Sequence, residues 1–150
     1  MHGRRRPGIA AALVVLGIFL CLFPGCGDLS RDELNRGVES LSALAAQGEL
    51  IANGVARDAT KSTYTRVMAK TLGGEAEHEA EKLADAEPEA TVKSERNAAV
   101  HVAAELADLF SELQTFPGDE HHGVLVEKHM GEVKEQADAI VARLTGEPAK

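Results

Sequence analysis

The residues of this chain that are spaced for chemistry are mostly glutamates and histidines. Glu75-Ala76-Glu77-His78 has the E-x-x-H spacing that presents two ligands from one helix face. Di-iron chemistry in a helical bundle needs two such motifs and two further glutamates, all turned inward. Only one copy is present, and at 100° per residue His78 falls outside the apolar stripe through Leu72, so a solvated face is expected there. His101 and Glu105, an i, i+4 pair, lie with Asp108 and Glu112 opposite Leu106 and Phe110, again as an outer charged face. Glu79 and Glu95 are different, because both fall inside apolar stripes. Counted outward from Glu87-Pro88 they sit at one level, where two facing carboxylates would raise each other's pKa or recruit a cation. They are the candidate metal residues, with Arg143 near that level as the alternative partner. Met68 and His129 are the candidate ligand pair, since a Met and a His projecting into a bundle are residue types that hold haem iron. No C-x-x-C-H attachment motif accompanies them, and ordinary hydrogen bonding of a partly buried His129 is the plainer expectation.

Nucleophilic catalysis has less support. There is no Ser in a G-x-S-x-G setting and no Gly-rich phosphate loop. No enzymatic activity, cofactor or metal is expected. A small-ligand or metal carrier using the bundle interior is the alternative function.

The remaining reactive side chain is a thiol, and its setting decides where the chain goes. Arg4, Arg5 and Arg6 precede an uncharged apolar run from Ile9 to Phe23, and Phe23-Pro24-Gly25-Cys26 closes it. The run is shorter than the roughly 20 residues a membrane-spanning helix needs, and Pro24 ends it, which is the order of a secretory signal. With a small residue directly before a cysteine, the segment resembles a bacterial lipoprotein signal peptide. That resemblance covers residues 1–26. It implies diacylglycerol on the Cys26 thiol, cleavage before Cys26, acylation of the new N-terminus and attachment to the cell membrane on its extracytoplasmic side. Cleavage would remove three arginines and no acid, taking the formal charge from −8 to −11. Such a surface repels phosphate, so no nucleic-acid partner is expected. Cys21 would leave with the signal and Cys26 would be acylated, so packing alone must hold the domain together.

Positioning these residues falls to helices. After the signal the only aromatics are Tyr64, Phe110 and Phe116, and two-residue hairpin turns are missing. Ser30-Arg31-Asp32-Glu33 is a capping box. Leu34, Leu41, Gly48 and Val55 then recur every seven residues, flanked by Val38, Ala45, Ala52, Leu44 and Ile51. This first helix ends at Asn53-Gly54 or runs on to about Asp58. The second starts near Ser62 or Thr63, with Thr65, Met68, Ala69, Leu72, Ala76, Ala80 and Leu83 on its stripe and a weak point at Gly73-Gly74. Pro88 suits the first turn of the third helix. Its stripe is Val92, Ala99, Val102, Ala103, Leu106, Leu109, Phe110 and Leu113, and Phe116-Pro117-Gly118 stops it. Asp119 caps the fourth, whose stripe is Val126, Met130, Val133, Ala137, Ile140 and Leu144, ending at Gly146.

The expected fold is therefore all-α: an antiparallel up-down four-helix bundle behind a cleaved lipoprotein signal peptide. Residues 1–25 form the signal, 26–29 the lipidated N-terminus and tether, 30–146 the bundle and 147–150 a tail. The expected role is a non-catalytic envelope scaffold or protein-interaction module, partnered with the membrane through its lipid.

Overall fold

The computed structural model describes residues 28–146. The signal peptide, Cys26 and the tail lie outside the described residues. Within them the protein is all-helical, with α1 (Arg31–Ala56), α2 (Ser62–Asp85), α3 (Lys93–Thr115) and α4 (Glu120–Thr145), and no strand. One 3₁₀ turn, Ala90–Val92, leads into α3.

The helix ends follow from local chemistry. Ser30 and Glu33 form the reciprocal box, the Ser30 hydroxyl accepting from the Glu33 amide while Glu33 Oε2 accepts from the Ser30 amide at 3.1 Å. Asp119 Oδ1 accepts from the His122 amide at 3.0 Å and starts α4. Gly146 ends α4 at φ 74°, where a Cβ would be penalised. The 86–92 corner differs from expectation. Pro88 does not open α3, because Leu29 pairs with this segment first: the Leu29 amide donates to the Glu87 carbonyl at 2.6 Å and the Glu89 amide to the Leu29 carbonyl at 3.3 Å. Extended backbone is the conformation that Pro88 imposes on its predecessor, so Glu87 is preset to accept this bridge.

Every stripe residue named for the first, third and fourth helices is buried, and so are Thr65, Ala69, Leu72, Ala76 and Leu83 on α2. The helices pack around one core, as in a bundle. α1 lies most extensively on α4 and α2 on α3. Polar contacts reinforce the first pair: Ser42 Oγ donates to Asp138 Oδ1 and Asn53 Nδ2 to Glu127 Oε1, each at 2.6 Å. Asp138 also accepts from Lys134 at 2.6 Å, and the lysine together with Ser42 holds its carboxyl below the usual range.

Glycines allow the closest approaches. A Cβ on Gly48 would stand 2.7 Å from Met130 and 3.1 Å from Phe110, and one on Gly73 would stand 3.1 Å from Phe110. The helix α2 runs unbroken through Gly73-Gly74, with Gly73 lying against the Phe110 Cβ while Gly74 faces open space among the described residues. On α4, a Cβ at Gly123 would fall 2.5 Å from the Ala56 backbone nitrogen, while Gly131 has nothing within 4 Å.

These positions separate the contributions to stability. Leu106→Ala, at a fully buried site, should cost about 2–5 kcal/mol in chemical denaturation, and Glu105→Ala less than about 0.5 kcal/mol. Equal effects would contradict the helical phase of α3. Gly123→Ala should destabilise by about 1–3 kcal/mol through a clash with backbone that cannot rotate away. Gly131→Ala should stabilise by roughly 0.5–1 kcal/mol through helix propensity. Calorimetry on both variants checks the pair.

Candidate functional site

The two carboxylates singled out by their stripe positions are found half-buried, each with its own partner. Glu79 lies over Gly37, its Oε1 standing 2.8 Å from where a Cβ would be, and it binds Lys82 Nζ through both oxygens at 3.0 and 3.3 Å. Glu95 accepts from Ser94 Oγ at 2.8 Å, and Arg143 Nε lies 3.8 Å from its other oxygen. The Ser94 hydroxyl, then the Glu95 backbone amide and the Arg143 charge, hold its carboxyl below the usual carboxylate range. The expectation of two acids raising each other's pKa is thus corrected at Glu95. Among the described residues no group of three or more His, Cys, Asp or Glu side chains is arranged to hold a metal ion.

Met68 and His129 are not brought together in an interior site. Met68 is half-buried against the core, but His129 is exposed, and its neighbour Met130 is the side chain that points inward. The buried line on α4 runs Gly123, Val126, Met130, Val133, and residue 129 is turned a full 100° from Met130, outside that line. Glu75 and His78 are both exposed. His101 Nδ1 is 3.9 Å from Glu105 Oε2 on the outer face, an exposed pair of little energetic weight.

Sequence reading missed the contact between Phe116 and His122. Their rings stack at 4.0 Å between centroids and 16° between planes, with His122 Nδ1 3.2 Å from Asp119 Oδ1. The signal that would have found it is the helix cap itself, since capping by Asp119 places residue 122 over the end of α3. Donation by His122, backbone first, holds the Asp119 carboxyl below its ordinary range.

Shallow grooves among the described residues include two on α4. One, about 490 Å³, is lined by Glu49, Glu127, Glu132 and Glu135 with Lys128, Val124 and Gly131. The other, about 270 Å³, lies between α3 and α4 beside His101 and Arg143. Neither assembles a nucleophile with a base. No helix of the described residues is long and apolar enough to cross a membrane.

Where the chain enters the fold, the geometry is tighter. Leu29 is buried, bridged to residues 87 and 89, and followed at once by the Ser30 cap, while Arg31 Nη1 donates to the Leu144 carbonyl at 3.4 Å. The first described residues are therefore fastened to the corner before α3 and to the end of α4. Comparison with known protein families, curated proteins and solved structures finds no match to this chain.

The sign of the carboxylate contribution follows from the lowered pKa of Glu95. Its stabilisation is fully present above the unfolded value of roughly 4.3 and is lost as pH falls through the lower folded value. Replacing Glu79 and Glu95 together by Gln should lower the melting temperature at pH 7. The parent protein should melt identically with calcium, zinc or a chelator. A cation-dependent rise in melting temperature, lost in the double variant, would establish a metal site instead.

Proposed function

We propose that this protein is a membrane-anchored, non-catalytic lipoprotein of the bacterial cell envelope, whose helical domain serves as a scaffold or interaction module on the extracytoplasmic side. The observation that carries this reading is Phe23-Pro24-Gly25-Cys26 at the end of an apolar run that follows three arginines. The cleaved signal, the acylated Cys26 and the membrane as partner follow from it. Cys26 is three residues from Leu29, so chain length alone keeps a lipid there within about 11 Å of a fastened point of the fold. On this reading the domain is held against the membrane surface with no flexible spacer.

We further read the bundle as antiparallel and up-down. Supporting this, the α1–α4 contacts pair Arg31 with Leu144, Ser42 with Asp138, Asn53 with Glu127 and Ala56 with Gly123. Successive helices are joined by short connections around residues 57–61, 86–92 and 116–119. All exposed large apolar side chains among the described residues (Leu50, Tyr64, Val67, Phe116, Val124 and Leu125) then belong to the half remote from residue 29. A scaffold presents its contact surface away from its anchor, and this polarity favours that role.

A thioether-linked diacylglycerol with a third acyl chain anchors stably, since a single chain is marginal and each buried CH₂ adds about 0.8 kcal/mol. Cys26→Ala should abolish incorporation of labelled palmitate in a bacterial host and release the protein from sedimenting membranes. Palmitate incorporation by the Cys26→Ala chain would overturn the anchor.

A further inference from the structure

The helix α2 is the least self-sufficient of the four. Its first half carries Arg66 and Lys70 and no acid, and its second half carries Glu75, Glu77, Glu79, Glu81 and Asp85 against Lys82. This polarity opposes the helix macrodipole, which favours acids in the first turn and bases in the last. The N-cap is Lys61, without a side-chain hydrogen bond. Apart from the internal Glu79–Lys82 pair, none of these charges has an ion pair among the described residues. Their face is exposed, and it includes Tyr64 and Val67, at 52% and 58% exposure. Near the middle of the same face is Gly74, whose missing Cβ faces nothing within 4 Å. An exposed glycine inside a helix is destabilising, and no contact among the described residues requires this one.

We infer that the outer face of α2 is an interface with a second copy of this chain, the two α2 helices running antiparallel across a two-fold axis at Gly74. The charge pattern is the argument. A two-fold contact must be self-complementary, and a helix basic in one half and acidic in the other complements itself only when antiparallel. With the axis at residue 74, Lys70 lies level with His78 of the second copy and within one turn of Glu77 and Glu81. Arg66 comes beside Glu81, and Val67 is level with that residue. Tyr64, level with Ala84 of the second copy, falls on the opposite flank of the seam from the Arg66 and Lys70 pairs. Arg66 also comes level with Lys82 of the second copy, but Lys82 is already neutralised by Glu79 at 3.0 Å. The opposed dipoles of the two helices add to the pairing. One helix laid on another is a small interface of the transient class, so dimerisation is concentration-dependent.

The test uses the full chain. Gly74→Cys puts a thiol on the axis, and Gly131→Cys puts one at another mid-helix glycine with open space around it. The parent chain, which keeps Cys21 and Cys26, sets the background under mild oxidation. The expected result is a disulfide-linked dimer for Gly74→Cys well above both the parent and Gly131→Cys. In the Gly74→Cys chain, Lys70→Glu or Glu81→Lys should each reduce that dimer about threefold or more, since every interface contains the pair twice. Mixing those two variants should restore it, because each chain then offers the charge the other lacks. These residues are exposed and eleven positions apart on one helix, so the swap has no counterpart within a chain. Crosslinking of Gly74→Cys no stronger than Gly131→Cys, failure of the mixture to recover, or a crosslink at residue 74 to a different protein would each overturn the second copy as occupant.

Discussion

The described fold depends on where one aromatic ring goes. Phe110 is fully buried, and it fits only because glycines stand opposite it on two other helices, Gly48 on α1 and Gly73 on α2. Met130 of α4 fills the remaining space over Gly48, so all four helices meet at this level, two through side chains and two through glycines. With no disulfide available to the bundle itself, interlocking of this kind is the main source of cohesion. Either glycine costs helix propensity of roughly 1 kcal/mol, which the burial of a large ring more than offsets. Small residues also set the closest approach of α1 to α4, where a Cβ on Gly123 would meet the backbone of Ala56 and Ala52.

The helical stripes were legible because their period is a property of the helix alone. Leu34, Leu41, Gly48 and Val55, spaced by seven, are all buried, and the Ser30–Glu33 box and the Asp119 cap form as their residue types require. What was not legible depended on partners distant in the chain. Gly73 and Gly74 are equivalent in sequence, yet one receives Phe110 and the other faces solvent. Pro88 has the residue type of a helix start, but its segment is occupied by Leu29, nearly sixty positions earlier. His129 was placed inward as the partner of Met68, and a rotation of 100° puts Met130 there instead.

The candidate chemical residues show the same division. Glu79 and Glu95 do lie on the inner side of their helices, as their phase requires. Their partners are near at hand: Lys82 is three residues from Glu79, Ser94 precedes Glu95, and only Arg143 comes from another helix. An acid with a local partner gives up little by being half-buried, which is why these positions tolerate charge. In sequence alone, an acid on a stripe looks the same whether it awaits a ligand or leans on its neighbour.

The functional account rests on what happens at Cys26, and mass spectrometry of the protein taken from bacterial membranes addresses it most directly. The account predicts a mature chain that begins at Cys26 and carries the added mass of a thioether-linked diacylglycerol, with or without an N-terminal acyl chain. A chain still beginning at Met1, or one cleaved elsewhere with an unmodified Cys26, would contradict it.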